Sequence, residues 1–286
     1  MIYEVKNIEL DYSKIDVEKP KNAPYAPYMK VFVPNLEGDV QKYNVGTRPT
    51  VLILPGGGYH FTSEREAEPI AMRFLARGFN ACILNYTVFD TPFPVAMLEA
   101  LTALKYIREN LAAWQGDPNK VYVCGFSAGG HLTASVGVFW DKEISKAYFG
   151  DTEQVRPNGL ILTYPVITSD SALTHEYSIK MLMAGREDAA LREMLSLEKQ
   201  VTESTPPAFI WTTFEDALVP CENSMLFASA LRKVGVPFEL HVFEKGGHGG
   251  ATGDKVTCLE NHRFGGWIDL ACDWCADTRL VPKKST

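Results

Sequence analysis

The chain lacks any run of about 18 apolar residues, the length a membrane-spanning helix needs, and no membrane partner is expected. It lacks an excess of positive charge. With 28 Lys and Arg against 35 Asp and Glu, the formal charge is −7 and the pI about 5.5. Nucleic-acid binders carry basic patches, so that class of partner is excluded. Cysteine is sparse: six in 286 residues, without the dense spacing that staples a small secreted domain. The start, Met-Ile-Tyr-Glu-Val-Lys-Asn-Ile-Glu, is broken by acidic and polar residues where a signal peptide needs an apolar stretch. A cytoplasmic protein is expected. Neither internal repeats nor low-complexity tracts occur. Histidine is also scarce, which keeps the search for a catalytic base short.

What is present is a rhythm. A hydrophobic content of 46% in 286 residues suffices for one large core, and residues 1–286 read as a single domain. Short β-branched and apolar runs alternate with helical patterns. An antiparallel edge strand is predicted over 28–33, then strands over 51–54 and 80–85, a further strand over 121–123, and others over 159–164, 207–213 and 238–243. Helices fall near 66–77 and 95–111. Such alternation predicts a mostly parallel sheet with helices on both faces. Residues 166–204 interrupt it with charged helical patterns, and read either as a small inserted cap or as a plain pair of connecting helices.

The segment Val121-Tyr-Val-Cys-Gly-Phe-Ser-Ala-Gly-Gly130 carries the strongest chemical signal. It is a strand running through G-x-S-x-G into a helix, an order that holds Ser127 on a sharp turn above the sheet. Gly125 and Gly129 suit a turn where a Cβ would strike backbone. A glycine-rich turn whose serine merely caps a helix would also produce the motif. The second glycine segment argues against that: Gly56-Gly57-Gly58 directly follows the strand run 50–55. A phosphate loop would place Lys and Ser or Thr after the glycines, whereas Tyr-His-Phe stands there. The N–H groups of Gly57, Gly58 and Ala128 are therefore assigned to an oxyanion hole, in which each donor contributes roughly 3 kcal/mol to the transition state.

A general base has to follow the serine in the chain order Ser, acid, His. Among six histidines, His248 alone lies in a flexible loop, Lys-Gly-Gly-His-Gly-Gly, just after a strand. His131 sits in the helix after Ser127, and His241 alternates within a strand. The acid is assigned to Asp216, at the end of the strand over 207–213, where catalytic groups of open α/β sheets gather. Glu215 and Glu222 are the substitutes. Of the aromatic residues Tyr59, Phe61, Tyr86, Trp140 and Trp211, most are expected in the core. Tyr59 and Phe61, beside the glycines, are assigned to substrate binding. Cys272-x-x-Cys275 lacks the other two ligands of a zinc site and recurs with Trp267, Leu270, Ala271 and Trp274 at helical spacing, so it reads as a packing helix.

The stretches Leu-Pro-Gly-Gly-Gly-Tyr (54–59), Leu-Asn-Tyr (84–86), Gly-Phe-Ser-Ala-Gly-Gly-His (125–131), Tyr164-Pro165, Trp211 through Asp216-x-x-Val-Pro220, and Gly247-His248-Gly249 span most of the chain. Together they resemble the α/β-hydrolase esterases related to the hormone-sensitive-lipase group, in particular a bacterial acetyl-xylan and feruloyl esterase-like branch. Pro55 stands where lipase-type relatives carry His, and the branch shares that proline. The resemblance implies an α/β-hydrolase fold and two-step acyl transfer through Ser127, His248 and Asp216, with no metal or organic cofactor. It also implies short-acyl ester substrates, such as acetyl groups on xylo-oligosaccharides. An arylformamidase or small peptidase would use the same residues, and a binding module that has lost hydrolysis would keep the fold. A homodimer is the default for a soluble enzyme.

Overall fold

A computed structural model describes residues 1–35 and 46–277. Eight strands form one sheet in the order β1-β2-β4-β3-β5-β6-β7-β8. They are β1 (Ile2–Asn7), β2 (Tyr28–Val33), β3 (Arg48–Leu54), β4 (Asn80–Asn85), β5 (Gly116–Phe126), β6 (Gly159–Thr163), β7 (Ala208–Thr213) and β8 (Phe238–Phe243). β1 pairs antiparallel with β2, and β2 antiparallel with β4; every other pairing is parallel.

The expectation of an edge strand over 28–33 needs correction. β2 is antiparallel but interior, because β1 covers its outer side. β1 escaped sequence reading for a physical reason. Four of its six residues are exposed and it carries Glu4 and Lys6, the charged and polar dress of an edge.

The central strands read as unbroken apolar runs because both of their faces are covered. Leu52 and Leu54 of β3 and Val121 and Val123 of β5 point into one core. Their neighbours Val51, Ile53, Tyr122, Cys124 and Phe126 point into the other. The first core is closed by α2 (Val95–Asn110) and α3 (Ala128–Phe139), and the second by α1 (Glu68–Ala76) and the late helix Trp267–Ala276. In that late helix Trp267, Ala271, Cys272, Trp274 and Cys275 are buried, as the packing reading expected, while Leu270 is exposed. All six cysteines are free thiols. Among the described residues, no helix is long and apolar enough to cross a membrane.

Residues 166–204 form two short helices, Glu176–Met183 and Ala189–Met194, and a single turn of tighter helix, Leu197–Lys199. They are pinned to the helix Glu222–Lys233 and to the turn before α2. Asn223 accepts from the N–H groups of Ile167 and Thr168, and Phe93 donates its N–H to the Leu182 carbonyl. Ile179, Leu182, Leu195 and Leu197 are buried beneath them.

Candidate active site

The parallel strands end on one side of the sheet, and the loops leaving β3, β5, β7 and β8 meet there. At the end of β5, Ser127 takes φ 54° and ψ −116°, a conformation a non-glycine residue adopts only when its surroundings hold it. The backbone around it is tied: Ser127 N–H donates to the Thr163 carbonyl, and its own carbonyl accepts from His131 and Val166 N–H. The flanking glycines are required by contact. A Cβ on Gly125 would collide with the Gly129 carbonyl and the Thr133 hydroxyl, and one on Gly129 with the Leu54 carbonyl. The helix α3 then starts at Ala128, with its free N–H end beside the serine hydroxyl.

Three side chains from distant parts of the chain converge. His248 Nε2 lies 2.8 Å from Ser127 Oγ, and His248 Nδ1 lies 2.7 Å from Asp216 Oδ2. An ionised carboxylate only accepts, so Nδ1 carries the proton and Nε2 is left to accept from the serine hydroxyl. The Asp216 side chain is fully shielded from solvent, and its other oxygen accepts from the N–H groups of Leu218 and Val219. The alternatives for the acid lie elsewhere. Glu215 bonds Lys245 and the Gly246 N–H, which hold its carboxyl below its usual range, and Glu222 sits beside the Cys221 thiol.

The glycine loop forms the adjoining wall. Gly57 has φ +127° and its carbonyl accepts from His60 and Phe61 N–H; a Cβ there would strike the Phe61 carbonyl. Tyr86 donates its hydroxyl to the Pro55 carbonyl at 2.7 Å and fixes the loop's start. Among the described residues, the N–H groups of Gly57, Gly58 and Ala128 have no acceptor within the protein. Gly57 and Gly58 line, with Ser127 and His248, an open cavity of about 430 Å³.

Two aromatic assignments separate here. Phe61 is half-exposed on the cavity wall. Tyr59 is corrected: it is 2% exposed, and its hydroxyl is spent on His131 Nδ1 inside the core. Tyr86, Trp140 and Trp211 are also buried. His131 itself is fully buried between Tyr59 and the Leu195 carbonyl, and burial lowers its pKa to about 4. His241 faces Glu239 on β8, away from the site.

Sequence reading missed several residues of the cavity. His175 and Tyr177 reach it from the 166–204 segment, and Tyr177 meets His60 Nδ1 through its hydroxyl at 2.9 Å. Burial and the nearby His248 lower the pKa of His175. Arg65 and Glu66 approach from the turn before α1. None of these belongs to a motif with fixed spacing. A run such as Ser-Glu-Arg-Glu-Ala-Glu (63–68) looks like the solvated start of a helix.

With this geometry in place, similarity to known proteins becomes informative. The sequence pattern of the BD-FAE family matches residues 39–231, about two thirds of the chain. The chain belongs to the BD-FAE family. It is 39% identical over 241 residues to endo-1,4-beta-xylanase B of Butyrivibrio fibrisolvens, covering 82% of this chain and 36% of that one. It is 31% identical over 233 residues to the acetylxylan esterase of Xylanibacter ruminicola, covering 77% of this chain and 46% of that one. The chain thus spans between a third and a half of the length of these curated relatives. Among solved structures, it resembles the acetyl ester-xyloside bifunctional hydrolase of Caldicellulosiruptor lactoaceticus. The TM-score is 0.80 and the identity 34%, with 95% of this chain and 94% of that one covered. The architecture is the α/β-hydrolase fold.

Proposed function

We propose that this BD-FAE member is a serine carboxylesterase that removes short acyl groups, acetyl above all, from xylo-oligosaccharides or related sugars. The observation that carries the reading is the hydrogen-bonded run Ser127–His248–Asp216 opening into a cavity beside unpartnered backbone donors. In this reading Ser127 Oγ attacks the ester carbonyl while His248 Nε2 takes its proton. The carbonyl oxygen becomes an oxyanion, met by the N–H groups of Gly57, Gly58 and Ala128. The proton passes from His248 to the leaving sugar oxygen, and an acyl-enzyme remains. Water, deprotonated by His248, then releases the carboxylic acid and restores Ser127. Asp216 holds the imidazole tautomer throughout.

Substrate choice rests on different support. The acetylxylan esterase and the acetyl ester-xyloside hydrolase are relatives named for acetyl ester and xylose chemistry. The rings of Phe61 and Tyr177, 56% and 44% exposed, flank the cavity mouth, where a flat sugar face would lie on them. In the same reading residues 166–204 are a cap that supplies one wall of the alcohol site, and the protein works as one domain on a small-molecule ester. Six free thiols, five of them buried, favour a reducing, cytoplasmic setting.

The test is acetate release from acetylated xylobiose, set beside p-nitrophenyl esters from acetate to decanoate, N-formylkynurenine and an aminoacyl anilide. The expected result is turnover of the acetylated sugar, with kcat/KM falling as the acyl chain grows beyond about four carbons. A tunnel that accepted longer chains would gain about 0.8 kcal/mol per buried methylene. A maximum at octanoate or beyond, or preference for the formamide or anilide, overturns the small-ester reading.

A further inference from the structure

One buried acid near the site takes no part in the acyl transfer described above. Glu66, 3% exposed, is the only one of the three glutamates in 64–68 that the fold buries. Its two oxygens point to two different loops. Oε2 accepts from the Gly56 N–H at 2.8 Å, at the head of the glycine loop. Oε1 accepts from the Tyr164 hydroxyl at 2.7 Å. That hydroxyl in turn accepts from the Ala251 N–H at 3.0 Å, in the loop that bears His248. The Tyr164 ring stands edge-on to the His248 imidazole with centroids 5.1 Å apart. A Cβ on Gly56 would sit 2.7 Å from the carboxylate, so the loop closes on Glu66 with no room to spare.

Both contacts to Glu66 come from donors, which suits the ionised carboxylate. Buried polar groups in such chains stay where their partners hold them, and one missing bond leaves a costly orphan. We propose that Glu66 is a positioning residue that, through Tyr164, locks the oxyanion-hole loop and the His248 loop into one register. It also holds a negative charge near the imidazole. This proposal rests on the reading of Ser127 and His248 as the reacting pair.

Charge and position are separable by experiment. The groups facing His248 are Asp216 on Nδ1, Tyr164 on its ring and His175 across the cavity; Arg65, Tyr164 and His248 face Glu66. In Glu66→Gln the amide oxygen can keep the Gly56 N–H only by turning its NH2 toward Tyr164. That hydroxyl already receives the Ala251 N–H, so it must turn its own proton elsewhere. The expected result is a folded enzyme whose Ser127 still reacts with a fluorophosphonate. Its kcat on p-nitrophenyl acetate falls roughly 10- to 100-fold while KM changes less than about threefold, as expected when positioning rather than binding is lost. Loss of the negative charge removes support for the imidazolium, so the acidic limb of kcat/KM moves to lower pH. Tyr164→Phe unhooks Ala251 but keeps the carboxylate: kcat falls with the acidic limb in place, and amide exchange of residues 246–251 quickens. This second variant decides the matter if Glu66→Gln fails to fold. Wild-type kcat in either folded variant overturns the proposal. Failure of the wild-type enzyme itself to label at Ser127 would instead overturn the assignment of the reacting pair.

Discussion

The two walls of the cavity are built on different principles. On one side Ser127, His248, Asp216 and the glycine loop stand at strand ends, buried or half-buried, and each polar side chain has named partners. On the other, the side chains of Phe61, Tyr177 and Leu218 present half-exposed apolar surface; the Phe61 and Leu218 backbones bond Gly57 and Asp216, and the Tyr177 hydroxyl meets His60. The first wall is over-determined: Gly125, Gly129 and Gly57 admit no side chain, and Ser127 keeps a positive φ only because three backbone bonds hold it. In the proposed reaction, the chemistry that needs sub-ångström placement sits on that wall. In the same proposal, discrimination among substrates, which needs only a graded fit, falls to the other.

The contrast is broken most directly at the acid. Asp216→Asn removes the acceptor that sets the His248 tautomer, and kcat is expected to fall by about 10⁴-fold with the fold intact. Glu215→Gln and Glu222→Gln, whose carboxylates bond elsewhere, are expected to stay within a few-fold of the wild type. Steady-state kinetics on p-nitrophenyl acetate compares them. Equal and mild losses in all three variants would mean that the close Asp216–His248 contact has no catalytic consequence.

A smaller effect is expected where the two walls are tied together. His131 donates Nε2–H to the Leu195 carbonyl, since a carbonyl only accepts, and receives the Tyr59 hydroxyl on Nδ1. Burial lowers its pKa to about 4, below the ordinary 6.5. The native state therefore favours the neutral ring. Its contribution to stability is present above pH 6.5 and is lost as pH falls toward 4, by up to about 3 kcal/mol. The stability gap between the wild type and His131→Gln should narrow over that window in denaturant titrations. A gap that stays constant from pH 7 to pH 4 would show that His131 is not held neutral.

The smallest effect belongs to the exposed wall. Phe61→Ala should raise KM for acetylated xylobiose by about 3- to 10-fold, a contact of around 1 kcal/mol. On p-nitrophenyl acetate, which has no sugar ring, it should change little. Equal loss on both substrates would make Phe61 part of the acyl side and blur the division between the walls.

The same division explains what could be read from sequence. The strained turn at Ser127 was legible because sterics force glycines at fixed offsets around it, and the order of the residues reflects the order of the strands. Asp216 was legible because it follows the buried apolar run of β7, and His248 because its glycine-rich loop follows the run of β8, a half-buried edge strand. Tyr59 misled because adjacency to Gly58 places a residue near the loop but says nothing of where its ring points; here it points at His131. Glu66 was hidden for the opposite reason. Flanked by Glu64 and Glu68, it has the look of a solvated helix start, and only the packing of Tyr164 and Gly56 around it distinguishes it. β1 was missed because an exposed edge strand has no buried face to imprint a pattern.

The central claim is that Ser127, primed by His248, is the nucleophile. Its most direct test is to treat the folded protein with a fluorophosphonate and locate the adduct by intact-mass and peptide mass spectrometry, with His248→Ala alongside. The account requires one adduct per chain, on Ser127, that is lost or slowed by orders of magnitude in the variant. A folded wild-type protein that takes no adduct, or takes it on another residue, would contradict it.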